Sequence, residues 1–203
     1  MYIQRTEEGH TILLIWVDNF LLISDQDALN NQIETELNIY FEVKSLGQPS
    51  IIIGVKVHQE NYLIKISQTH YIDTLLKKYG LQDMNPVFTP MDPNIKLDDL
   101  EGKALEDNED QSLIKHGYAN LIRSLMYLTI ATWPNIAYSI NKLAQYTLSP
   151  KTKHWTAIKR IFRYLKGTKQ SKLTYRGSPE LLHDMINIYC DANWASDSDS
   201  VVM

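Results

Sequence analysis

The stretch Leu13–Ser24, LLIWVDNFLLIS, decides the fold of the first part of the chain. Two apolar, partly β-branched runs, Ile12–Val17 and Phe20–Ile23, flank the polar pair Asp18-Asn19. Apolar runs separated by two turn-forming residues are typical of a β-hairpin. The pattern therefore predicts two antiparallel strands with Asp18 and Asn19 in the turn between them.

A helix and a second hairpin are predicted next along the chain. Ser24 and Asp27 resemble a capping pair at the start of a helix. The predicted apolar stripe of this helix is Leu29, Ile33, Leu37, Tyr40 and Phe41. Ile51–Val57 and Tyr62–Ile66 predict the two strands of the second hairpin. Gly54 lies inside the first of these strands, where a glycine indicates a bulge or a close backbone approach.

A helix and a long connection follow the second hairpin. Ser67 is a favourable N-cap and Gly80 a favourable stop for this helix. Its predicted core residues are Ile72, Leu75, Leu76 and Tyr79. Residues 85–110 contain three prolines and an acidic cluster, so they predict a surface loop without regular structure.

Three further helices and two strands are predicted in the rest of the chain. The helices are expected at about Tyr118–Thr129, from near Pro134, and from Ser149-Pro150 up to Gly167. Their predicted core residues are Leu121, Leu125, Leu128, Ile136, Ile140, Leu143, Trp155, Ile158, Phe162 and Leu165. The two predicted strands are Lys172–Tyr175 and Met185–Cys190. This order of elements predicts an α+β fold.

The charges of the chain are unevenly distributed. The formal net charge is −4, but residues 92–110 are strongly acidic, whereas residues 151–176 contain basic residues and no acid. The candidates for phosphate contacts are Lys159, Arg160, Arg163, Lys166, Lys169 and Lys172. A basic helix of this kind predicts salt-dependent nucleic-acid binding without sequence preference. A solvated helix face is the alternative interpretation.

Composition excludes several classes of protein. The single cysteine, Cys190, excludes an internal disulfide and a cysteine-rich zinc site. There is no pattern of a signal peptide, and no apolar run approaches the roughly 20 residues of a membrane span. We therefore expect an intracellular protein, in the cytoplasm or nucleus, without a membrane partner.

Six segments carry a resemblance to a known family. They are LLIWVDNFLLIS (13–24), SIIIGVKV (50–57), LIKISQTHYIDTLLKKYGLQDMNPVFTPM (63–91), YANLIRSLMYLTIATWPNIAYSINKLAQY (118–146), HWTAIKRIFRYLKGT (154–168) and IYCDANWASDSDS (188–200). In order and spacing they resemble the Pol polyprotein of copia-type LTR retrotransposons, from the C-terminal part of the reverse transcriptase into the start of RNase H.

The resemblance implies three domains. Residues 1–66 correspond to part of a polymerase palm, with a second hairpin that grips the primer. Residues 67–170 correspond to a thumb-like helical bundle that includes the acidic loop 85–110. Residues 171–203 correspond to the start of RNase H.

The resemblance also assigns roles to individual residues. Asp18 matches the first metal-binding aspartate of the polymerase, and Asn19 stands in the place of the second, where it lacks the negative charge that gathers Mg²⁺. Asp191 matches the first carboxylate of the RNase H metal site. Trp16 and Gly54 match positions near the primer, although Trp16 is expected mainly as a core aromatic. The parent enzyme would use Mg²⁺, whereas this chain is expected to hold none stably.

Three functions remain open at this stage. The chain could be a fragment of an RNA-directed DNA polymerase that needs missing Pol segments and is inactive alone, since each metal site keeps one carboxylate. It could instead be a non-catalytic module that holds an RNA/DNA template-primer duplex through the basic helix. It could also be a decaying copy, because Asn19, Arg123, Trp133, Asn135 and Asn193 all depart from the family pattern.

Overall fold

The computed structural model describes residues 1–7, 9–60, 62–95, 97 and 117–177. The chain forms two compact units, residues 1–49 and 50–203. This division differs from the predicted boundaries after residues 66 and 170. The second hairpin and the strand that follows the last helix form one sheet, so both belong to the second unit.

The first unit contains a three-stranded antiparallel sheet and one helix. Its elements are β1 (Tyr2–Thr6), β2 (Gly9–Trp16), β3 (Asn19–Ser24) and α1 (Asp27–Tyr40). The predicted hairpin is confirmed as β2 and β3, which lie next to each other in the order β1-β2-β3. Strand β1 was not predicted, because it is exposed along its whole length and carries polar residues.

The turn of the first hairpin is shifted by one residue from the prediction. Trp16 pairs with Asn19, so the two loop residues are Val17 and Asp18, and Asn19 is the first residue of β3. Val17 has a φ of 51°, in the left-handed region that a β-branched residue rarely adopts. The sequence favoured Asp18-Asn19 because these residues tolerate turns, but strand pairing decided the register.

Helix α1 begins differently from the prediction, and its apolar stripe is less buried than expected. Its N-cap is Gln26, and Ser24 instead donates a hydrogen bond to the Gln26 carbonyl at 2.6 Å. The predicted stripe is only half-buried at Leu29, Ile33 and Leu37. Tyr40 and Phe41, the last two residues of that stripe, are exposed, so their predicted burial is wrong.

The second unit contains a four-stranded antiparallel sheet in the order β4-β5-β6-β7. The strands are β4 (Ile51–Ile52), β5 (Val55–Glu60), β6 (Leu63–Ser67) and β7 (Leu173–Arg176). The predicted strand Ile51–Val57 is therefore interrupted by a tight turn at Ile53 and Gly54. Strand β7 pairs with β6, so the predicted strand at Lys172–Tyr175 is confirmed within one residue.

The hydrophobic core of the second unit is helical. The helices are α2 (Thr69–Lys78), α3 (Tyr118–Ala131), a 3₁₀ turn (Pro134–Ile136), α4 (Ala137–Ala144) and α5 (Thr152–Thr168). Every core residue predicted for these helices is buried. Sequence periodicity therefore identified the helical core correctly.

Helix ends were predicted less accurately than helix faces. Gly80 ends α2 as expected: its φ is 65°, its N–H bonds the Lys77 carbonyl, and the Leu81 N–H bonds the Leu76 carbonyl at 2.8 Å. The predicted N-caps were wrong by one or two residues, since Gln68 and Lys151 take these places.

Two predictions fall wholly or partly outside the described residues. The strand expected at residues 185–190 lies outside them, as does the acidic part of the loop after residue 97. In the described part of the chain, no helix has the length and apolar character needed to cross a membrane.

Candidate nucleic-acid interface

The turn of the first hairpin presents a single carboxylate. Asp18 is exposed at the tip, held between two strands that fix the turn. Asn19 is also exposed, but it stands opposite Trp16 in the strand ladder. The two predicted metal ligands are thus adjacent in the chain, one in the loop and the other in β3.

This pair does not by itself fit a bound Mg²⁺ ion. Mg²⁺ is bound in proteins by one or two carboxylates together with the phosphates of a substrate, whereas Asp18 and Asn19 supply only one carboxylate and a neutral amide. Within the described ranges, no group of three His, Cys, Asp or Glu side chains could hold a metal ion. The third predicted ligand, Asp191, lies outside those ranges. No catalytic step through a metal can be derived from these residues.

Trp16 is not the core aromatic that the sequence predicted. Its side chain is 61% exposed. Successive strand residues face opposite sides of a sheet, so Trp16 lies on the face opposite Thr11, which is buried on the side where Leu29 of α1 approaches Gly9. A contact between Trp16 and the primer stays a prediction.

The tip of the second hairpin is a strained turn that contacts a helix. Ile53 and Gly54 have φ values of 48° and 77°, as in the type I′ turns that join twisted strands. The Tyr127 hydroxyl of α3 donates a hydrogen bond to the Ile53 carbonyl. A Cβ atom on Gly54 would lie 3.2 Å from that hydroxyl. The predicted close approach at Gly54 is therefore present, but in a turn rather than inside a strand.

Tyr127 is itself held in place by a second tyrosine. The rings of Tyr71 and Tyr127 meet edge to face with centroids 5.0 Å apart. The Tyr71 hydroxyl donates a long hydrogen bond, 3.4 Å, to the Ser124 carbonyl one turn earlier on α3. The hairpin tip, α2 and α3 are thus connected. This role of the two tyrosines was not predicted, because the expected close approach at Gly54 was the only related signal.

Most cations of the basic helix bind the chain itself. Arg163 donates from Nε to the Asn85 carbonyl at 2.7 Å, and Lys166 donates from Nζ to the Met84 carbonyl at 2.9 Å. Arg160 donates to the Thr89 hydroxyl at 2.8 Å. These partners belong to residues 84–92, which we call the strap because they run along α5.

The other basic candidates differ in their surroundings. Arg160 also forms a 3.6 Å ion pair with Asp92 of the strap. Lys169 pairs with Asp73 of α2 at 2.6 Å, and the Lys159 ammonium lies 5.0 Å from the centre of the Trp155 ring. Lys172 is exposed just before β7. These contacts therefore do not leave a continuous row of α5 cations open to phosphates.

The strap explains why α5 does not end at the predicted residue. Gly167 was expected to end α5, yet the helix continues to Thr168. A Cβ atom on Gly167 would lie 2.9 Å from the Pro86 Cβ, so the glycine allows the strap to approach the helix. The predicted surface connection without regular structure is confirmed for residues 85–95. Its attachment to α5 was not predicted, because main-chain carbonyls, the partners of Arg163 and Lys166, leave no trace in composition.

His154 has a structural role at the start of α5. It is 1% exposed, and its Nδ1 accepts the Lys151 N–H at 3.0 Å. Its ring stacks on Tyr146 at 4.0 Å, and Nε2 lies 3.3 Å from the Leu97 carbonyl. With Nδ1 as acceptor, Nε2 is the ring nitrogen that donates.

Both hairpins lie in a segment with a clear match to known proteins. Residues 1–93 match the family described as reverse transcriptase (RNA-dependent DNA polymerase). The reverse transcriptase match thus covers β1 to α2 and the strap.

Similarity to retrotransposon proteins extends over the whole chain. The chain is 31% identical over 203 residues to the "Retrovirus-related Pol polyprotein from transposon TNT 1-94" of Nicotiana tabacum, covering 98% of this chain and 15% of that protein. It is 29% identical over 202 residues to the corresponding polyprotein from transposon RE1 of Arabidopsis thaliana, covering 100% of this chain and 13% of that protein. The chain therefore spans only a small part of these Pol polyproteins.

A shorter relative matches over most of its own length. An uncharacterised mitochondrial protein of Arabidopsis thaliana is 28% identical over 183 residues, covering 90% of this chain and 71% of that protein. No solved structure matches the chain. The likeness to reverse transcriptases therefore rests on sequence similarity, and the structure adds the placement of the residues.

Proposed function

We propose that this chain is the C-terminal part of a copia-type reverse transcriptase, running from the palm through the thumb into the start of RNase H. On this proposal the first hairpin corresponds to the one that carries the metal-binding aspartates in the family, and the second hairpin contacts the primer end. The helices of the second unit correspond to the thumb. The partner is a template-primer duplex of RNA and DNA.

The observation that carries the proposal is the placement of Asp18. The carboxylate stands at the exposed tip of a two-residue turn in the segment that matches reverse transcriptases. A rigid hairpin tip can present a metal ligand to a phosphate group because the strands fix its direction. The strained Ile53-Gly54 turn, held by Tyr127, adds a second rigid tip of the kind found at functional sites.

We infer further that Asn19 leaves polymerase activity impaired. Two aspartates at this turn would place two negative charges beside the metal, whereas Asp18 and Asn19 place one. Loss of one charge weakens the attraction of a divalent cation and the electrostatic stabilisation that phosphoryl transfer requires. Duplex binding, which depends on cations rather than on this turn, remains possible in such a chain.

The test uses the purified 203-residue chain with an RNA template annealed to a DNA primer. We expect binding that weakens as salt rises, and no primer extension with Mg²⁺ and deoxynucleotides. Extension that requires Mg²⁺ and disappears in Asp18→Asn would overturn the proposed impairment. Absence of duplex binding at low salt would overturn the proposed nucleic-acid role.

The alternative of a binding module built on α5 is not favoured. Arg160, Arg163 and Lys166 already donate hydrogen bonds to the strap. These bonds hold the three side chains against the strap and restrict how they can turn towards a phosphate, although each keeps further N–H groups.

A further inference from the structure

A second group of basic residues lies on the sheet of the second unit. Lys56 and His58 stand on β5, Lys65 on β6 and Arg176 on β7, and Lys172 directly precedes β7. Four of them are exposed, and Lys65 is half-buried. We call these five residues the basic sheet face.

Strand pairing brings these side chains to one side of the sheet. His58 pairs with Lys65, and Lys65 pairs with Thr174 on the next strand. Lys56 is two residues from His58 on β5, and Arg176 is two residues from Thr174 on β7. Residues two apart in a strand share a face of the sheet. Neighbouring strands are about 4.8 Å apart, so three strands place the cations within about 10 Å across the sheet.

The opposite side of the same sheet is mostly apolar, with Gln59 of β5 as a polar member. The residues between the basic ones on the three strands include Val55, Val57, Ile64, Ile66 and Leu173. The sheet is therefore divided into a charged side and an apolar side. Such a division is expected of a sheet that keeps the charged side towards water or a polar ligand.

Three cations of the basic sheet face have no anionic partner among the residues the structure describes. Lys65 pairs with Glu60 at 2.9 Å, and Glu60 also contacts His58 at 2.6 Å. For Lys56, Lys172 and Arg176, no carboxylate of the described ranges lies within ion-pair distance. The basic residues of α5 differ in this respect, because most of them bind the strap or α2.

We propose that the basic sheet face binds the phosphodiester backbone of a nucleic-acid duplex. This inference rests on the proposed function and assigns its electrostatic contact to the sheet rather than to α5. Lysine and arginine side chains on a flat sheet can pair with phosphates without reading bases, so binding should be independent of sequence. Lys56 follows the hairpin tip at Gly54 by two residues, which connects this surface to the predicted primer-contacting turn.

The experiment compares two triple variants of the full 203-residue chain. The sheet variant carries Lys56→Gln, Lys172→Gln and Arg176→Gln. The control variant carries Arg5→Gln, Lys44→Gln and Lys77→Gln, which removes the same charge from exposed residues elsewhere. Fluorescence anisotropy with a labelled template-primer duplex gives affinity over a range of salt, and circular dichroism verifies that each variant is folded.

The sheet variant should bind at least about tenfold more weakly at low salt and lose about 2.7 from the slope of log K against log salt, since each phosphate contact contributes about 0.9. The control variant should keep both values near those of the unchanged chain. A second sheet variant, with Lys56→Arg and Lys172→Arg, should retain binding because the charge is kept.

Two results would overturn the inference while leaving the proposed function intact. In one, the unchanged chain binds duplex and the sheet variant binds equally well. In the other, the sheet and control variants weaken binding to the same extent, which indicates an effect of net charge alone. If the unchanged chain does not bind duplex at low salt, the proposed function fails and this inference fails with it.

Discussion

Tyr127 donates its hydroxyl hydrogen to the main-chain carbonyl of Ile53, and so connects helix α3 to the tip of a hairpin 74 residues earlier. Both turn residues, Ile53 and Gly54, have positive φ values. A non-glycine residue in this conformation costs about 1–3 kcal/mol and persists where surrounding contacts determine it. The tyrosine contact is such a determinant, and the turn therefore depends on α3.

Replacement of Gly54 should lower the free energy of unfolding by more than its positive φ alone implies. In Gly54→Ala, the new Cβ would lie 3.2 Å from the Tyr127 hydroxyl. The alanine would also have to adopt the φ of 77° that Gly54 has. We expect a loss of about 2 kcal/mol in the free energy of unfolding, about half of it from the left-handed conformation. Urea unfolding followed by circular dichroism measures this loss.

Gly80 provides the matched control for this variant. It has a φ of 65° with no atom within 4 Å of a new Cβ, so Gly80→Ala should cost only the conformational part, about 1 kcal/mol. In the Tyr127→Phe background, Gly54→Ala should cost less than in the unchanged chain, because the crowded hydroxyl is gone. Additive effects of the two substitutions would contradict the contact.

The strain at Ile53 can be relieved by a residue that tolerates positive φ. Ile53→Asn creates Asn-Gly, the pair preferred in type I′ turns. We expect a gain of about 1 kcal/mol in the free energy of unfolding. Ile51→Asn, at an exposed position in the neighbouring strand, is the control and should be destabilising. A loss of stability in Ile53→Asn would argue against strain at this turn.

Periodicity and turn chemistry differ in how much of this fold they predict. The helical core was predicted residue by residue because Leu121, Leu125 and Leu128 repeat at helical spacing and all are buried. The turn at Val17-Asp18 was misplaced by one residue, because strand pairing overrode the local preference of Asp18-Asn19.

The candidate site was predicted only in part, since its decisive contacts join distant residues. Asp18 was predicted correctly in the turn because it belongs to both the predicted pair Asp18-Asn19 and the observed pair Val17-Asp18. The contacts of Arg163 and Lys166 with carbonyls of the strap could not be predicted, because any residue type supplies a main-chain carbonyl. The run of basic residues in α5 therefore predicted a surface open to phosphates, whereas several of these residues bind the strap.

Restoring the second carboxylate at the first hairpin should strengthen metal binding. Asn19→Asp places a second negative charge beside Asp18. The added attraction should improve the binding free energy of a divalent ion near the surface by about 1–2 kcal/mol, or about five- to thirtyfold in affinity. Mn²⁺ titration followed by NMR line broadening of the hairpin amides measures it. Asn31→Asp adds the same charge on α1 and should leave the hairpin signals unaffected. Equal broadening in both variants would rule out a local effect.

Glu60 should titrate well below an ordinary glutamate. Hydrogen bonds from Lys65 and then His58 lower the pKa of this carboxyl from 4.5 to about 2. A carboxylate with a lowered pKa stabilises the fold above pH 4.5, and this contribution is lost as the pH falls towards 2. NMR titration should give a midpoint near 2 in the unchanged chain, a clear rise in Lys65→Gln and a smaller rise in His58→Gln. A midpoint near 4.5 in the unchanged chain would exclude the Lys65–Glu60 contact in solution.

Attachment of the strap to α5 should depend on two cations. Arg163 and Lys166 donate charge-assisted hydrogen bonds to adjacent carbonyls, and Phe88, in the middle of the strap, is 100% exposed and open to chymotrypsin. Cleavage requires the strap to leave the helix, so its rate follows the population of the detached form. In Arg163→Gln with Lys166→Gln, we expect cleavage after Phe88 to be about tenfold faster, equivalent to about 1.4 kcal/mol.

The control for the strap is an arginine that does not touch it. Arg123 bonds the Asn120 side chain within α3, so Arg123→Gln should leave the cleavage rate unchanged. Gly167→Ala should accelerate cleavage without any loss of charge, because its new Cβ would lie 2.9 Å from Pro86. Since alanine ordinarily favours a helix over glycine by up to about 1 kcal/mol, faster cleavage in this variant can only come from displacement of the strap. Unchanged cleavage in both strap variants would show that α5 does not hold residues 84–92, and its cations would again be candidates for phosphate contacts.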